Sequence, residues 1–464
     1  MPVLTESSRH KPARAARPTH GRRRRGLLYL HETRALARLA GPIVVSQLGA
    51  VAMTITDTIM VGPLGAPSLA AAGLGSSLQM VVAIVCMGVV MGMTPLVSRA
   101  WGAGEPRECR RVLVQGLWIA AALSVPLVAF CWEGERVALA LGQQPEVARL
   151  AGGFMRALAV GLGPFMLFMA LRQYLDGIGR TKPAMVVTFL GIAVNVAGNF
   201  ALIYGVPGWV RPLGVVGSGW STTIVRWAML AVLAGYVALR PELTPRDVSW
   251  RPVRATAHRI AAIGLPIGAQ NGAEIGIFAC AAVMMGWIGP VAQAAHQVTL
   301  NIASATFMVA LGTSIAGSIR VGQHVGAGSP RGVKRSAVTT YALVLGFMGL
   351  CALSFLAVPR WLIGLYTHDP AIVTVGTSLL FMAALFQLFD GAQVAGLSIL
   401  RGMADTRVPM LITIVGYWLV GFPVAYYLGF ARGAGPSGVW AGLVISLAVV
   451  AAMLAVRVRR VVWA

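Results

Sequence analysis

Twelve apolar runs of membrane-spanning length recur along the 464-residue chain. A helix that crosses a bilayer needs about 20 consecutive apolar residues. Such runs lie at 39–61, 70–98, 112–132, 150–174, 184–205, 214–239, 260–285, 292–320, 334–357, 371–400, 409–430 and 437–457. In hydrocarbon each backbone N–H and C=O must be paired within its own segment, so apolar runs of this length can only be helices. The expected fold is an all-α polytopic membrane protein with twelve transmembrane helices. Its charged residues are only 11% of the total, against about 25% in soluble domains.

The net charge of +23 would suit a nucleic-acid binder, but its distribution excludes that partner. The basic residues crowd into the N-terminal tail, with a run at Arg22–Arg25, and into alternate loops. Loops after even-numbered spans carry Arg99, Arg107, Arg110 and Arg111, then Arg180 and Lys182, then Arg240 to Arg259, then Arg331, Lys334 and Arg335, then Arg401 and Arg407. The loops at 62–69 and 286–291 carry no Lys or Arg at all. By the positive-inside rule both termini are expected in the cytoplasm, and an even number of spans requires termini on one side. The tail reads as a segment held near anionic headgroups rather than a cleaved leader, because the apolar run behind it is a full span with an acid inside. The five cysteines are scattered and form no CxxC pair, which argues against a disulfide framework or a zinc site.

The two halves repeat. A shift of 224 lays Gly102-Ala103-Gly104-Glu105-Pro106-Arg107 on Gly326-Ala327-Gly328-Ser329-Pro330-Arg331, and Pro42 on Pro266. A shift of 225 lays Gly177, Thr181, Met185, Thr188 and Gly191 on Gly402, Thr406, Met410, Thr413 and Gly416. Six spans per half is an even number, so both halves insert with the same topology. Parallel repeats of this kind occur in secondary transporters, with the site between the halves. The expected organisation is a basic cytoplasmic tail (1–38), an N-terminal lobe (39–239), a cytoplasmic linker that serves as hinge (240–259), a C-terminal lobe (260–457) and a short cytoplasmic C-terminus (458–464).

Of fifteen Asp and Glu, three sit well inside apolar runs: Asp57, Glu274 and Asp390. An intramembrane carboxylate costs about 2.5–3.5 kcal/mol on insertion scales, and its default reading is function. The repeat reproduces none of the three, since Asp57 maps to Ala281, Glu274 to Ala50 and Asp390 to Phe165. Asn195 and Asn199 are four apart, on one face of the fifth span, at the depth of Asp57. One carboxylate and two amides offer the hard oxygens that bind a metal cation; the plainer alternative is hydrogen bonding between helices. In the second half, Gln270 lies one turn from Glu274, Gln387 and Gln393 flank Asp390, and Phe278 and Phe386 are four residues from the two acids. Acids with aromatics beside them suit an amphipathic organic cation. His296 and Gln297 could join that cavity or could simply pack.

The sequence has no GxxxxGK[ST] phosphate loop and no GxSxG or HExxH. It reads as a transporter without its own motor and not as an enzyme. It needs no cofactor beyond Na+ or H+ as coupling ion.

The motifs TDTIMVG (56–62), DGIGRTKPAM (176–185), NVAGN (195–199), AAHQVTLN (294–301), SIRVGQHVGAG (318–328), LFDGAQV (388–394) and LRGMADT (400–406) resemble those of multidrug and toxic compound extrusion (MATE) transporters, in particular the NorM-like branch. The resemblance covers about residues 36–460. It implies the MATE fold and efflux of cationic amphipathic compounds in exchange for Na+ or H+. It further implies that Asp57, Asn195 and Asn199 form a cation site, and that Glu274 and Asp390 bind cation or substrate. Phe278, Phe386, Gln297, His296 and Gln387 are substrate-cavity candidates, and the sodium ligands, where sodium is the ion, are Asp57, Asn195 and Asn199. The expected setting is a bacterial inner membrane, with the bilayer and small organic cations as partners and the chain acting as a monomer. The rival function is flipping of lipid-linked precursors. A cavity rich in Arg and Lys would favour that rival, whereas this chain puts acids inside its spans. A membrane scaffold has no use for polar residues at such depth.

Overall fold

The computed structural model describes residues 20–463. Helices α1 (His20–Val61), α2 (Ala66–Gly102) and α3 (Pro106–Trp132) open the chain. Next comes α4, a pair of helices (Pro145–Ala159 and Leu162–Gly177) bent by 48° at their junction. The first half closes with α5 (Lys182–Tyr204) and α6 (Val215–Ala238). The second half holds α7 (Arg254–Ile288), α8 (Pro290–Gly326), α9 (Pro330–Ala357), α10 (Pro370–Gly402), α11 (Arg407–Ala431) and α12 (Gly435–Trp463). Eleven of these are long and apolar enough to cross a membrane, and α4 counted as one bent span makes twelve.

Local chemistry sets the boundaries. Pro106, Pro145, Pro290, Pro330 and Pro370 occupy the first helical position, where the missing N–H costs nothing. Asp369 caps α10 by accepting from the Ala371 amide at 2.9 Å. The bend in α4 has a partner waiting for it. Thr223 of α6 donates to the freed Ala157 carbonyl at 2.6 Å, and its hydroxyl packs against Gly161 at the break. Helix α11 contains two wide i→i+5 turns, Val415–Gly421 and Tyr427–Ala431, a geometry that concentrates at functional sites.

Two large buried apolar clusters organise the molecule. One is drawn from residues 83–260 and the other from residues 277–462. The corresponding helix bundles meet along α1 with α8 and α2 with α7. The end of the assembly that carries the Arg-rich loops is called the basic end below.

Two features depart from the sequence reading. The first helix starts at His20, well before the span predicted from 39, so much of the segment read as tail is helical. The linker is also not a free hinge. Arg110 grips Asp247 through both carboxylate oxygens at 2.7 and 2.6 Å. Gln115 donates to the Arg251 carbonyl at 2.9 Å and accepts from the Val253 amide at 2.7 Å, and Trp118 donates to the Trp250 carbonyl at 2.7 Å. The linker is thereby pinned to the first bundle, because its backbone groups find partners on α3 instead of water.

Candidate cation sites

Asp57 lies one turn from the end of α1 that faces away from the basic end. Both asparagines of α5 reach it. Asn195 Nδ2 donates to Asp57 Oδ1 at 2.9 Å, and Asn199 Nδ2 donates to the same oxygen at 2.6 Å. Asn199 also faces Asn195 Oδ1 at 3.3 Å. The two asparagines are fully buried, and Ser221 of α6 supports them by donating to the Asn195 carbonyl at 3.2 Å. All the amide donors converge on one carboxylate oxygen. The Asn199 carbonyl oxygen is buried without a hydrogen-bond partner among the described residues. An unpaired buried acceptor is costly, and a bound cation or water would relieve it. The amides face the carboxylate through their nitrogens, an arrangement suited to an anionic Asp57, and the hard oxygens of a metal site would come from the carboxylate together with amides turned to present their carbonyls.

A second constellation lies midway along the helices of the other bundle. Glu274 of α7 accepts from Gln393 Nε2 of α10 at 3.5 Å, and Tyr417 of α11 donates to Gln393 Oε1 at 2.7 Å. Asp390 is buried one turn before Gln393 on the same helix. Tyr417 sits on a wide turn of α11, where Ser446 of α12 donates to the Gly416 carbonyl at 3.0 Å. Phe278 and Phe386 pack edge to face at 5.9 Å, and Phe386 packs on Trp440 at 5.7 Å.

The remaining candidates separate. His296 is fully buried, and its Nδ1 accepts from Trp440 Nε1 at 3.1 Å. That bond puts the ring proton on Nε2, and the imidazole extends the aromatic cluster at 5.8 Å from Trp440. Gln297, the next residue, is exposed and faces Asn301 at 3.3 Å. Gln387 turns from the acids toward α8, donating to Thr306 Oγ1 at 2.5 Å and to the Ala303 carbonyl at 3.5 Å.

Three functional features lie outside the pattern of acids at depth. Arg226 is a cation within α6, its guanidinium 5.0 Å from the Phe165 ring centroid. So the spans do not hold acids alone. The signal was a single Arg in an otherwise apolar run. Tyr417 gives no sequence signal, because a Tyr in a span carries no charge. Glu32 falls within the polar tail of the sequence, yet it is only 3% exposed and is bound by residues of the other bundle.

The MatE family model matches the chain twice, over residues 42–201 and 266–427. The chain belongs to the MatE family. It is 36% identical to a protein of Mesorhizobium japonicum named probable multidrug resistance protein NorM, over 93% of this chain and 94% of that one. A Pseudomonas putida protein of the same name is 38% identical over 91% and 93%. The multidrug resistance protein MdtK of Edwardsiella ictaluri is 36% identical over 93% and 96%. Among solved structures, a MATE protein described in the bent conformation superposes with a TM-score of 0.86 at 20% identity, covering 93% of this chain and 96% of that one. A multidrug resistance MATE transporter in its outward-facing conformation superposes at 0.84 with the same identity and coverage. The fold is the MATE fold, as the sequence resemblance implied.

Proposed function

We propose that this MatE member is a secondary active antiporter that exports cationic, amphipathic organic compounds in exchange for Na+ or H+. The observation that carries the reading is the Asp57 site, where two buried amides are committed to a single intramembrane carboxylate. The names of the relatives, multidrug resistance proteins at 36–38% identity, support the efflux direction. The Glu274 and Asp390 region, with the Phe278–Phe386 pair beside it, supplies the negative charge and aromatic faces that favour organic cations.

In this reading the basic end is cytoplasmic and the host membrane is a bacterial inner membrane. Emptying the Asp57 site leaves a carboxylate poorly solvated, so the site favours one occupant, a proton or a metal ion, at each stage. Exchange of that occupant shifts the balance between states open to opposite sides, by no more than its differential affinity for them. The two bundles rock about the space between them, with Pro42 in α1 as the place where that helix bends.

The test is efflux of a cationic dye from vesicles holding the purified protein, with a pH gradient or a sodium gradient imposed separately. Dye movement driven by one gradient supports the reading and names the ion. Movement of a lipid-linked oligosaccharide precursor with no dye movement would replace it with the flippase.

A further inference from the structure

The most heavily bonded carboxylate among the described residues is not one of the three acids at membrane depth. Glu32, in the first third of α1, accepts from Arg320 Nε at 2.9 Å and from Ser336 Oγ at 2.6 Å through Oε1. Through Oε2 it accepts from Arg320 Nη2 at 2.7 Å, with His324 Nε2 at 3.3 Å. The Arg320 contact is the bidentate fork that gives a guanidinium–carboxylate pair its directional strength. Arg320 and His324 are one turn apart on α8, and Ser336 is on α9. All three partners therefore belong to the second bundle, while Glu32 belongs to the helix that opens the first.

The surroundings of the cluster are those of a closed seam. Next to it, Leu36, Ala40 and Ile43 of α1 form a buried apolar cluster with Ala316 and Ile319 of α8. Gln323 continues the crossing, accepting from Arg320 Nη1 at 3.2 Å and donating to the Gly177 carbonyl of the first bundle at 3.4 Å. Closer to the midplane the backbones of α2 and α7 touch, since a methyl group added at Gly88 would overlap the Gly268 backbone. At the extreme basic end, a methyl added at Gly326 would overlap the Arg99 carbonyl. The bundles are thus in van der Waals contact from the midplane to the basic end, and Glu32 is the charged fastening of that contact.

We propose that Glu32 is a coupling residue of the transport cycle: its bonds to Arg320 and Ser336 hold the basic end shut, and they must break before that end can open. The proposal rests on the alternating-access reading above. A buried ion pair is a reversible fastening, because its attraction is largely offset by the desolvation of both charges. Opening the seam lets water solvate the carboxylate and the guanidinium separately. Glu32 and Asp57 are also on one helix, 25 residues apart, with Pro42 between them. At a rise of about 1.5 Å per residue, α1 connects the candidate ion site near one end to the fastening at the other.

The experiment uses the full chain with its five cysteines replaced. Spin labels are placed at Arg107 and Arg331, exposed positions at the basic ends of α3 and α9, and distances are read without substrate or gradient. Glu32→Gln should raise the longer-distance population about tenfold over wild type. Arg320→Gln should do the same, and the double variant should open no further than either single, as expected when two residues share one interaction. Ser336→Ala, which removes one neutral donor, should open the seam less than either. If Glu32→Gln proves unstable, the Arg320 and Ser336 variants carry the same reading. A distance distribution that matches wild type in the folded Glu32 and Arg320 variants overturns the proposal, and so does additive opening in the double variant. Because no efflux is measured, a failure of the dye-export reading leaves these outcomes distinguishable.

Discussion

Asn199 Nδ2 lies 2.6 Å from Asp57 Oδ1, while the carbonyl oxygen of the same amide has no partner among the described residues. The amide therefore stabilises the carboxylate through its nitrogen and keeps its oxygen for something else. Asn199→Leu removes both functions at similar size. An interaction between an amide and a charged group contributes about 1.5–3 kcal/mol, so where sodium is the coupling ion its apparent affinity should fall about 10-fold to 100-fold. The check is the sodium concentration at half-maximal dye efflux. An unchanged midpoint would mean that the amide only packs.

The chain Tyr417 to Gln393 to Glu274 has a direction. Tyr417 donates to the amide oxygen, which turns the amide nitrogen toward Glu274. Tyr417→Phe frees that amide to rotate, and at about 1 kcal/mol per neutral hydrogen bond it should weaken cationic-dye binding about fivefold. Neutral dyes of similar size should be affected less. Glu274→Gln and Asp390→Asn should show the same charge selectivity more strongly. Equal losses for both dye classes would indicate damaged packing.

How far the sequence revealed this arrangement depended on the kind of signal each residue gives. The spans were legible because apolar runs in a bilayer have only one backbone solution. The meeting of Asp57 with Asn195 and Asn199 was legible because an isolated acid is conspicuous and a spacing of four puts both amides on one face. The partner of Gln387 was not legible, because lying three residues from Asp390 does not fix which neighbour an amide meets, and it bonds Thr306 of α8. Glu32 was hidden among tail residues, since its burial depends on α8 and α9, 288 to 304 positions along the chain. The linker looked like a hinge by composition, but its anchoring by Gln115 and Trp118 is a long-range event with no local signature.

That anchoring can be measured. The Arg110 guanidinium holds the Asp247 carboxyl below the ordinary carboxylate range. A depressed carboxylate contributes docking that is fully present above its unfolded value of about 3.9 and is lost as pH falls through the lower, folded value. At neutral pH, Asp247→Asn should therefore mimic acid. Chymotrypsin should cut after the exposed Trp250 faster in this variant than in wild type, with the cleavage rate tracking the open population. Equal rates would show that the backbone bonds to Gln115 suffice.

The seam between α2 and α7 should tolerate no added bulk. Gly88→Val places a branched side chain against the Gly268 backbone, and close-packed interfaces cannot absorb it without separating. The spin-label pair at Arg107 and Arg331, outside the seam, should then show a larger longer-distance population than in wild type. A rise of about tenfold corresponds to a shift of about 1.4 kcal/mol. An unchanged distance distribution would mean that the helices slide instead of parting.

In the proposed cycle, occupancy of the Asp57 site drives transport. Asp57→Asn preserves size and hydrogen-bonding capacity and removes the charge that a proton or metal ion would neutralise. Wild type and variant are reconstituted at equal density, and cationic-dye efflux is followed after imposing whichever gradient drives the wild-type protein. Wild type should move dye against its concentration gradient, whereas Asp57→Asn should bind the dye but not move it uphill. Uphill, gradient-driven efflux by Asp57→Asn at the wild-type rate would contradict this cycle.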